Sequence, residues 1–285
     1  MIAGRYKLET EIKRGAFGAI YKGIYEKTGE PIAIKIDINQ STLKHEIKMI
    51  NHLYISGVRK IPSIYWFGVF EAKPCVVMTL YECSLYDYRL KGPPTETKMA
   101  KIMWKMLEII ESIHKHFVVH RDIKPQNFMI KSGDIYLIDF GLATFYIGED
   151  GEHCPNKPST TIIGSPLFVS IRIHEGNKYS RRDDLISIGY LYLWMLGSFI
   201  TLPNNIIKEG VIQETEGSPI DLEYPVNKYL LKQKENIQSF FINDTDNSSG
   251  VLSYMEYVYG LLYDEIPKYT PMRTVFMCDQ AKYTY

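Results

Sequence analysis

Alternating apolar and polar positions mark the amino-terminal part of the chain as a β-sheet. An apolar stripe at helical spacing through Leu43, Ile47 and Ile50 adds one helix to it. Strand-like patterns cover four segments: residues 6–12, 19–25, 32–35 and 75–78. We therefore predict a small sheet that packs against a single helix in this part of the chain.

Helical periodicity dominates the rest of the chain. Over residues 97–116 the apolar stripe is rich in methionine, which is typical of core packing rather than of a cofactor site. Residues 185–196 are nearly all apolar but too few to span a bilayer, so they predict a buried helix. Two apolar runs within residues 128–138 flank a polar turn and predict a hairpin. Residues 203–238 are polar and weakly patterned, and they carry no prediction.

Composition indicates one globular domain inside a cell. The 285 residues are 45% hydrophobic, which is enough for a well-buried core. The formal net charge is zero, so no global charge favours nucleic acid or a membrane surface as a partner, and we expect a monomer. Four cysteines lie without pair or metal spacing: Cys75, Cys83, Cys154 and Cys278. With no signal-peptide pattern at the amino terminus, this fits a reducing cytoplasmic or nuclear compartment.

Charged and amide side chains at residues 120–127, His-Arg-Asp-Ile-Lys-Pro-Gln-Asn, carry the most specific chemistry, and an Asp-Phe-Gly run begins at Asp139. Phosphoryl transfer from ATP requires a carboxylate to orient the attacking hydroxyl, a cation near the γ-phosphate and oxygen ligands for Mg²⁺. We predict Asp122 and Lys124 as catalytic residues. Asn127 and Asp139 are the predicted Mg²⁺ ligands, which the hairpin would bring to one end of a cleft. A polar surface loop is the alternative, and the order of the two motifs disfavours it.

A glycine-containing turn and a lysine lie upstream, as ATP binding requires. Gly15 and Gly18 separate two strand-like segments and would let backbone N–H groups approach the phosphates. Lys13 occupies the place where the kinase pattern has its first glycine, and a turn with two glycines would by itself be an ordinary hairpin turn. The following strand ends at Lys35, which requires a carboxylate partner on a helix. Glu46 is the predicted partner, and a solvated glutamate is the alternative.

Three further segments resemble those of eukaryotic protein kinases, most closely the casein kinase 1 family. Residues 180–190, Ser-Arg-Arg-Asp-Asp-Leu-Ile-Ser-Ile-Gly-Tyr, are similar to the entry of that family's helix F. Val-Ser-Ile-Arg at residues 169–172 stands where most kinases have Ala-Pro-Glu, and residues 263–269 resemble the family's closing motif. The resemblance runs from about residue 6 to residue 276, so we expect no autoinhibitory tail.

The resemblance implies an α+β, two-lobed protein kinase fold that uses ATP and Mg²⁺. The N-lobe and hinge would comprise residues 1–81 and the C-lobe residues 82–285. The implied substrates are proteins with serine or threonine acceptors, and Lys124 two residues after Asp122 is the serine/threonine arrangement. Lys35, steadied by Glu46, would hold the α- and β-phosphates.

The resemblance also implies where adenine binds. Residues 79–81 would form the hinge, with the backbone of Thr79 and Tyr81 bonding adenine and with Met78 guarding the back of the pocket. Asp184, at the start of the buried helix, would brace the catalytic loop. The residues expected to enclose the adenine ring are Ile12, Ile20, Ala33, Met129 and Ile138.

Two departures from the family bear on substrates and regulation. Leu167 replaces an arginine with which the family recognises a phosphate already present on the substrate. After position 203, where the family has further basic residues, Lys208 lies among acidic residues. We therefore expect weak or absent dependence on such a priming phosphate. Thr161 and its two neighbours, Ser159 and Thr160, are candidate phosphosites. The family resembled is generally active without phosphorylation there, so we expect basal activity.

The sequence alone leaves several alternative functions and sites open. A pseudokinase that scaffolds partners would usually lack Lys35, Asp122 or Asp139, and all three are present. A small-molecule or lipid kinase would be expected to lack residues 181–190. Residues 243–250 suggest a calcium loop, but its glycine and glutamate arrive one residue late, so a capping loop is favoured. His114, His116 and His120 suggest a metal cluster, but they fit a helix end and the catalytic loop better.

Overall fold

The computed structural model describes residues 1–15, 18–37, 40–197, 220–222, 225–243 and 250–281. The strands in these ranges are β1 Tyr6–Gly15, β2 Gly18–Tyr25, β3 Glu30–Asp37, β4 Ile64–Phe70, β5 Lys73–Thr79, β6 Cys83–Ser84, β7 Val118–Val119, β8 Phe128–Lys131, β9 Asp134–Leu137, β10 Thr144–Phe145, β11 Thr161–Ile162 and β12 Ile220–Asp221. The helices are α1 Gln40–Ile55, α2 Leu85–Leu90, α3 Glu96–Lys115, α4 Ile171–His174, α5 Arg181–Leu196, α6 Pro225–Asn243, α7 Gly250–Gly260 and α8 Tyr269–Ala281, and a 3₁₀ turn covers Pro125–Asn127.

The chain forms two compact units, each built from two segments. The first unit consists of Met1–Ser84 and Phe128–Gly141. The second consists of Leu85–Asn127 and Leu142–Tyr285. The lobe boundary predicted after residue 81 stays a prediction, and each unit is described by itself below.

In the first unit, an antiparallel sheet in the order β1-β2-β3-β5-β4 separates two apolar layers. Alternate residues of β3 point to opposite faces, so Ile32 and Ile34 pack in one layer with Val77. The other face is covered by α1, whose Leu43 and Ile47 pack on Val76 of β5. The predicted sheet with one helix is therefore present.

The predicted hairpin is also present and belongs to the first unit. Strands β8 and β9 pair antiparallel, from Phe128 opposite Leu137 to Lys131 opposite Asp134. Ser132 and Gly133 form the two-residue turn, and both have the positive φ, 51° and 75°, that suits a tight hairpin. The hairpin is held by a backbone hydrogen bond from the Leu137 N–H to the Lys60 carbonyl, at 2.9 Å.

In the second unit, α3 and α5 form the core as predicted. The methionine-rich stripe of α3 is fully buried, and Thr95 caps the helix by accepting a hydrogen bond from the Lys98 N–H. Helix α5 is buried along most of its length and ends at Gly197, whose φ of 81° closes the helix in the left-handed region. Within the described ranges, no helix combines the length and apolar character needed to cross a membrane.

The segments that carried the kinase resemblance pack on one another in the second unit. Arg172 donates to the carbonyl of Tyr259, and Arg182 donates to the carbonyl of Leu261. Arg181 donates to the carbonyl of Asp264. Three guanidinium groups thus fasten the end of α7 and the segment that follows it to α4 and α5.

Helix α6 lies in the stretch for which the sequence pattern gave no prediction. Its inward positions are Val226, Leu230 and Lys234, spaced by four residues, and all three are buried. A lysine at the third position breaks the apolar stripe by which an amphipathic helix is recognised. Residues 244–249 of the rejected calcium loop, and Lys208, lie outside the described residues.

Candidate active site

Asp122 is the carboxylate of the catalytic loop, residues 120–127, and is only 6% exposed. One oxygen, Oδ1, accepts hydrogen bonds from the backbone N–H and the hydroxyl of Ser165, at 3.0 and 2.7 Å. The other, Oδ2, lies 2.9 Å from Lys124 Nζ and accepts from Asn127 Nδ2 at 3.0 Å. The second unit therefore brings the predicted residues Asp122, Lys124 and Asn127 together.

Asp184 holds the backbone that carries Asp122. Its Oδ2 accepts from the His120 N–H at 2.8 Å, and its Oδ1 accepts from the Arg121 N–H at 3.0 Å. Arg121 has φ of 67°, a conformation that costs energy for a residue with a side chain, and these bonds stabilise it. Burial acts against the charge of Asp184, but hydrogen bonds from His114 and His120 outweigh it and hold its pKa below the usual value. The prediction that Asp184 braces the catalytic loop is confirmed.

Asn127 is oriented by two hydrogen bonds to Asp122. Its Nδ2 donates to the Asp122 backbone carbonyl at 2.8 Å and to Oδ2 at 3.0 Å. Because both bonds use Nδ2, neither engages the amide oxygen Oδ1. An amide oxygen is one of the ligands that Mg²⁺ accepts in proteins.

Lys35 and Glu46 form an ion pair in the first unit, with Nζ and Oε2 separated by 2.8 Å. Glu46 lies on α1 between the buried residues Leu43 and Ile47, and its side chain is 5% exposed. Burial opposes the charge of Lys35, but the carboxylates of Glu46, Asp139 and Asp37 outweigh it and raise the pKa of Lys35 above its ordinary value. The structure therefore contains the predicted ion pair, with Asp139 in the same electrostatic neighbourhood.

Asp139 has a backbone conformation unusual for a residue with a side chain. Its φ is 65°, and Oδ1 accepts a long hydrogen bond of 3.4 Å from the Gly141 N–H. Aspartate is among the few residues that tolerate this region, and such conformations cluster at functional sites.

Strand pairing places the predicted ATP-contacting residues of the sheet on one face. Ile20 lies opposite both Lys13 and Lys35, and Ala33 lies opposite Met78. Directly paired residues share a face, which here is the face covered by α1. Ile12 falls at a β-bulge between β1 and β2 and is 54% exposed. Met129 and Ile138 are half-buried in and just after the hairpin of the same unit.

The two glycines of the predicted phosphate loop pair with each other across β1 and β2. Gly18 has a reason of its own for lacking a side chain. A Cβ there would lie 2.1 Å from the carbonyl oxygen of Ile36, so only glycine lets β2 approach β3 so closely. Sheet packing thus explains Gly18 independently of any nucleotide.

The hinge segment follows β5. The Thr79 N–H donates to the carbonyl of Ser63 at 3.1 Å, and the Thr79 hydroxyl accepts from the Ser63 N–H at 3.1 Å. The side chain of Tyr81 packs against Tyr136 of the hairpin, with ring centroids 5.1 Å apart. The backbone N–H of Thr79 is therefore engaged by Ser63.

The histidines near the catalytic loop have structural partners. His114 is buried, with Nε2 3.0 Å from Asp184 Oδ2 and Nδ1 2.6 Å from the hydroxyl of Tyr269. Across the described ranges, no group of three histidine, cysteine or acidic side chains has the arrangement to hold a metal ion.

Sequence reasoning missed Ser165, which contacts Asp122 directly, and Lys234, which is buried beside the same segment. Ser165 follows Gly164, where a Cβ would lie 2.2 Å from the Arg121 carbonyl oxygen. A Gly-Ser pair is too common to signal such a contact, and an isolated lysine in a polar stretch carries no signal at all.

Comparison with known families agrees with this geometry. The family model described as protein kinase domain matches residues 6–248, most of the chain. The matched range includes every predicted site residue, from Ile12 to Asp139. The predicted α+β kinase fold, with a β-rich amino-terminal part followed by a mostly helical part, is confirmed. The chain therefore belongs to the protein kinase domain family.

Proposed function

We propose that the chain is an active serine/threonine protein kinase of the casein kinase 1 type, which transfers the γ-phosphate of ATP to hydroxyl groups of proteins. The observation that carries the proposal is the bonding of Asp122. Ser165, Lys124 and Asn127 all donate to its two oxygens at 2.7 to 3.0 Å. A degenerate kinase domain has no need of this arrangement.

In the proposed reaction, Asp122 orients the substrate hydroxyl and accepts its proton. Lys124 lies 2.9 Å from Asp122 and would stabilise negative charge on the phosphoryl group during transfer. The protein forms no covalent bond to that group, so positioning and electrostatics supply most of the rate enhancement.

Asn127 and Asp139 are the proposed Mg²⁺ ligands. The donor set fits a hard cation, because it consists of an amide oxygen that no bond to Asp122 uses and a carboxylate. When bound, Mg²⁺ neutralises charge on the phosphates. The charged Lys35, held by Glu46, would bind the α- and β-phosphates. Gly15 and Gly18 would lie over the phosphates.

The adenine ring is proposed to bind to the face of the sheet that carries Ile20, Ala33 and Met78. The ring edge would bond the Tyr81 backbone, since the Thr79 N–H is engaged. Ile12, Met129 and Ile138 would complete the enclosure.

Serine/threonine preference and the casein kinase 1 type rest on residues of the second unit. Lys124 follows Asp122 by two residues, which is the serine/threonine arrangement. The segments that resemble casein kinase 1 are joined by hydrogen bonds from the Ser170 hydroxyl to Asp183 and from Arg181 to the Asp264 carbonyl, so they form one packed region.

A pseudokinase scaffold is the second candidate, because a kinase domain can bind partners without transfer. The feature that favours this candidate is Lys13, which stands where the kinase pattern has a glycine. Against it stand the retained Lys35–Glu46 pair and the bonded Asp122.

Transfer of labelled γ-phosphate from ATP and Mg²⁺ to an acidic protein such as casein tests the proposal. We expect incorporation on serine or threonine by wild type, loss in Asp122→Asn, and full activity in the control Asp150→Asn, whose side chain is exposed on a surface turn. No incorporation together with no thermal shift by ATP would favour the scaffold. Incorporation on tyrosine would contradict the specificity.

A further inference from the structure

Lys234 is a buried lysine for which the proposed reaction gives no role. It lies on α6 and is 0% exposed, with Nζ 5.0 Å from the centroid of the Tyr190 ring. Of the residues that the structure describes, no carboxylate forms an ion pair with it. Burial lowers its pKa well below the ordinary value for lysine. A charge in such a place persists only if the surroundings supply acceptors.

Those acceptors come from one short segment of chain. Nζ donates to the carbonyls of Pro166 and Val169, at 2.8 and 2.5 Å, and lies 3.0 Å from His174 Nε2. The amino group thus contacts three polar atoms of one short segment. Meanwhile the buried Nδ1 of His174 finds no hydrogen-bond partner among the described residues. His174 Nε2 also lies 3.2 Å from the Pro166 carbonyl oxygen, so the imidazole contacts both Lys234 and a carbonyl that Lys234 binds.

The segment that Lys234 binds is a tight turn next to the catalytic loop. The N–H groups of Phe168 and Val169 both donate to the Ser165 carbonyl, at 2.8 and 3.1 Å, which closes the turn. Ser165, the first residue of the turn, donates twice to Asp122. Hydrogen bonds therefore run without a gap from Lys234 through the turn to Asp122.

We propose that Lys234 is a positioning residue for phosphoryl transfer. It connects α6 to the Ser165–Val169 turn, and that turn keeps Ser165 in contact with Asp122. The inference rests on the proposed function, since it assigns Asp122 the role described above. Ser170 provides a second attachment, because its hydroxyl donates to Asp183 of α5 at 2.5 Å. Lys234 differs from Ser170 because it donates to two carbonyls of the turn at once.

Lys234→Met tests this role, because methionine fills similar space but donates no hydrogen bond. The matched control is Lys232→Met on the same helix, where the side chain is exposed. In Lys234→Met, we expect hydrogen exchange at the Phe168 and Val169 amides to be at least tenfold faster than in wild type. We also expect kcat to be at least tenfold lower. The Kd for ATP should stay within twofold, because Lys35 and Asp139 belong to the first unit. Lys232→Met should match wild type in every measurement.

A merely structural role would lower global stability without this pattern. If Lys234→Met fails to fold, Lys234→Gln, which keeps two N–H donors, should show the same changes at smaller size. Unchanged exchange at Phe168 and Val169, or wild-type kcat, in the variant that folds would overturn the proposal. The exchange measurement needs no substrate, so an inactive wild type would contradict the proposed function while the exchange data still decide whether Lys234 holds the turn.

Discussion

Ser165 donates two hydrogen bonds, from its backbone N–H and its hydroxyl, to the same carboxylate oxygen of Asp122, at 3.0 and 2.7 Å. The two residues are 43 positions apart in the chain. Since Oδ1 is occupied in this way, the orientation of the Asp122 carboxylate depends on where the Ser165 turn lies.

Replacing Ser165 should therefore change catalysis more than stability. Ser165→Ala removes one hydrogen bond to a charged acceptor, worth about 1.5–3 kcal/mol, so we expect kcat to fall about tenfold or more. Ser165→Thr keeps the hydroxyl and should retain most of the activity. Steady-state kinetics on both variants checks this, and equal kcat for Ser165→Ala and wild type would contradict it.

Asp139→Ala should abolish transfer while the fold is kept. Asp139 is half-buried, and its proposed role is to hold Mg²⁺ rather than to pack. Loss of such a group typically lowers the rate by orders of magnitude, and Asp122→Ala should behave alike. Circular dichroism and urea unfolding report the fold, and phosphate transfer reports the role. Near-normal kcat in either variant would show that the roles are wrongly assigned.

Phosphorylation of the segment around Thr161 should not be required for activity. Thr161 and Ile162 pair with Asp221 and Ile220 in a short sheet, and the Ser159 hydroxyl donates to the Thr161 carbonyl at 2.9 Å. These contacts order the segment without a phosphate. Phosphatase-treated protein should keep its activity, and so should Thr161→Ala. Silencing by both treatments would refute the expectation.

A phosphate already present on the substrate should give little advantage. Leu167, half-buried in the Ser165–Val169 turn, stands where the resembled family has an arginine, and a guanidinium–phosphate contact is worth about 1.5–3 kcal/mol. The test is a pair of peptides, one of them phosphorylated three residues before the acceptor. We expect similar kcat/KM values, with a preference appearing in Leu167→Arg. A tenfold higher kcat/KM of wild type for the phosphorylated peptide, about 1.4 kcal/mol, would contradict this expectation.

Stability should fall as the pH drops below about 6.5, partly through His114. Burial lowers the pKa of His114 in spite of its hydrogen bond to Asp184. Between the ordinary pKa and this lower one, the unfolded chain binds a proton that the folded chain does not. Stability from this group is therefore complete above the ordinary pKa and is lost as the pH falls towards the folded value, by up to about 1.4 kcal/mol per pH unit.

Urea unfolding at several pH values between 7.5 and 5.5 measures this dependence. His114→Gln should show a shallower loss of unfolding free energy than wild type. His45→Gln, which changes an exposed histidine of α1, should keep the wild-type slope. A slope in His114→Gln equal to that of wild type would rule out the contribution.

Local patterns in the chain were enough to predict four of the five strands in the sheet of the first unit, the hairpin, α3, α5 and the pairing of Lys35 with Glu46, but they missed β4. Each of these depends on periodicity or on a motif of a few residues, because strands and helices expose their faces at fixed intervals. Even so, β1 and β2 extend beyond the predicted strands, since pairing between them continues to Gly15 and Gly18.

Tertiary structure alone decided the contacts between distant segments. Helix α6 escaped prediction because Lys234 occupies a buried position, and an apolar pattern assumes that buried positions are apolar. Its partners Pro166 and Val169 are more than sixty residues away, and they accept through backbone carbonyls, which every residue possesses. The contact of Ser165 with Asp122 likewise depends on the path of the chain between them. The chemistry of the catalytic residues can thus be read from residue types and spacing, whereas the groups that orient them are chosen by long-range folding.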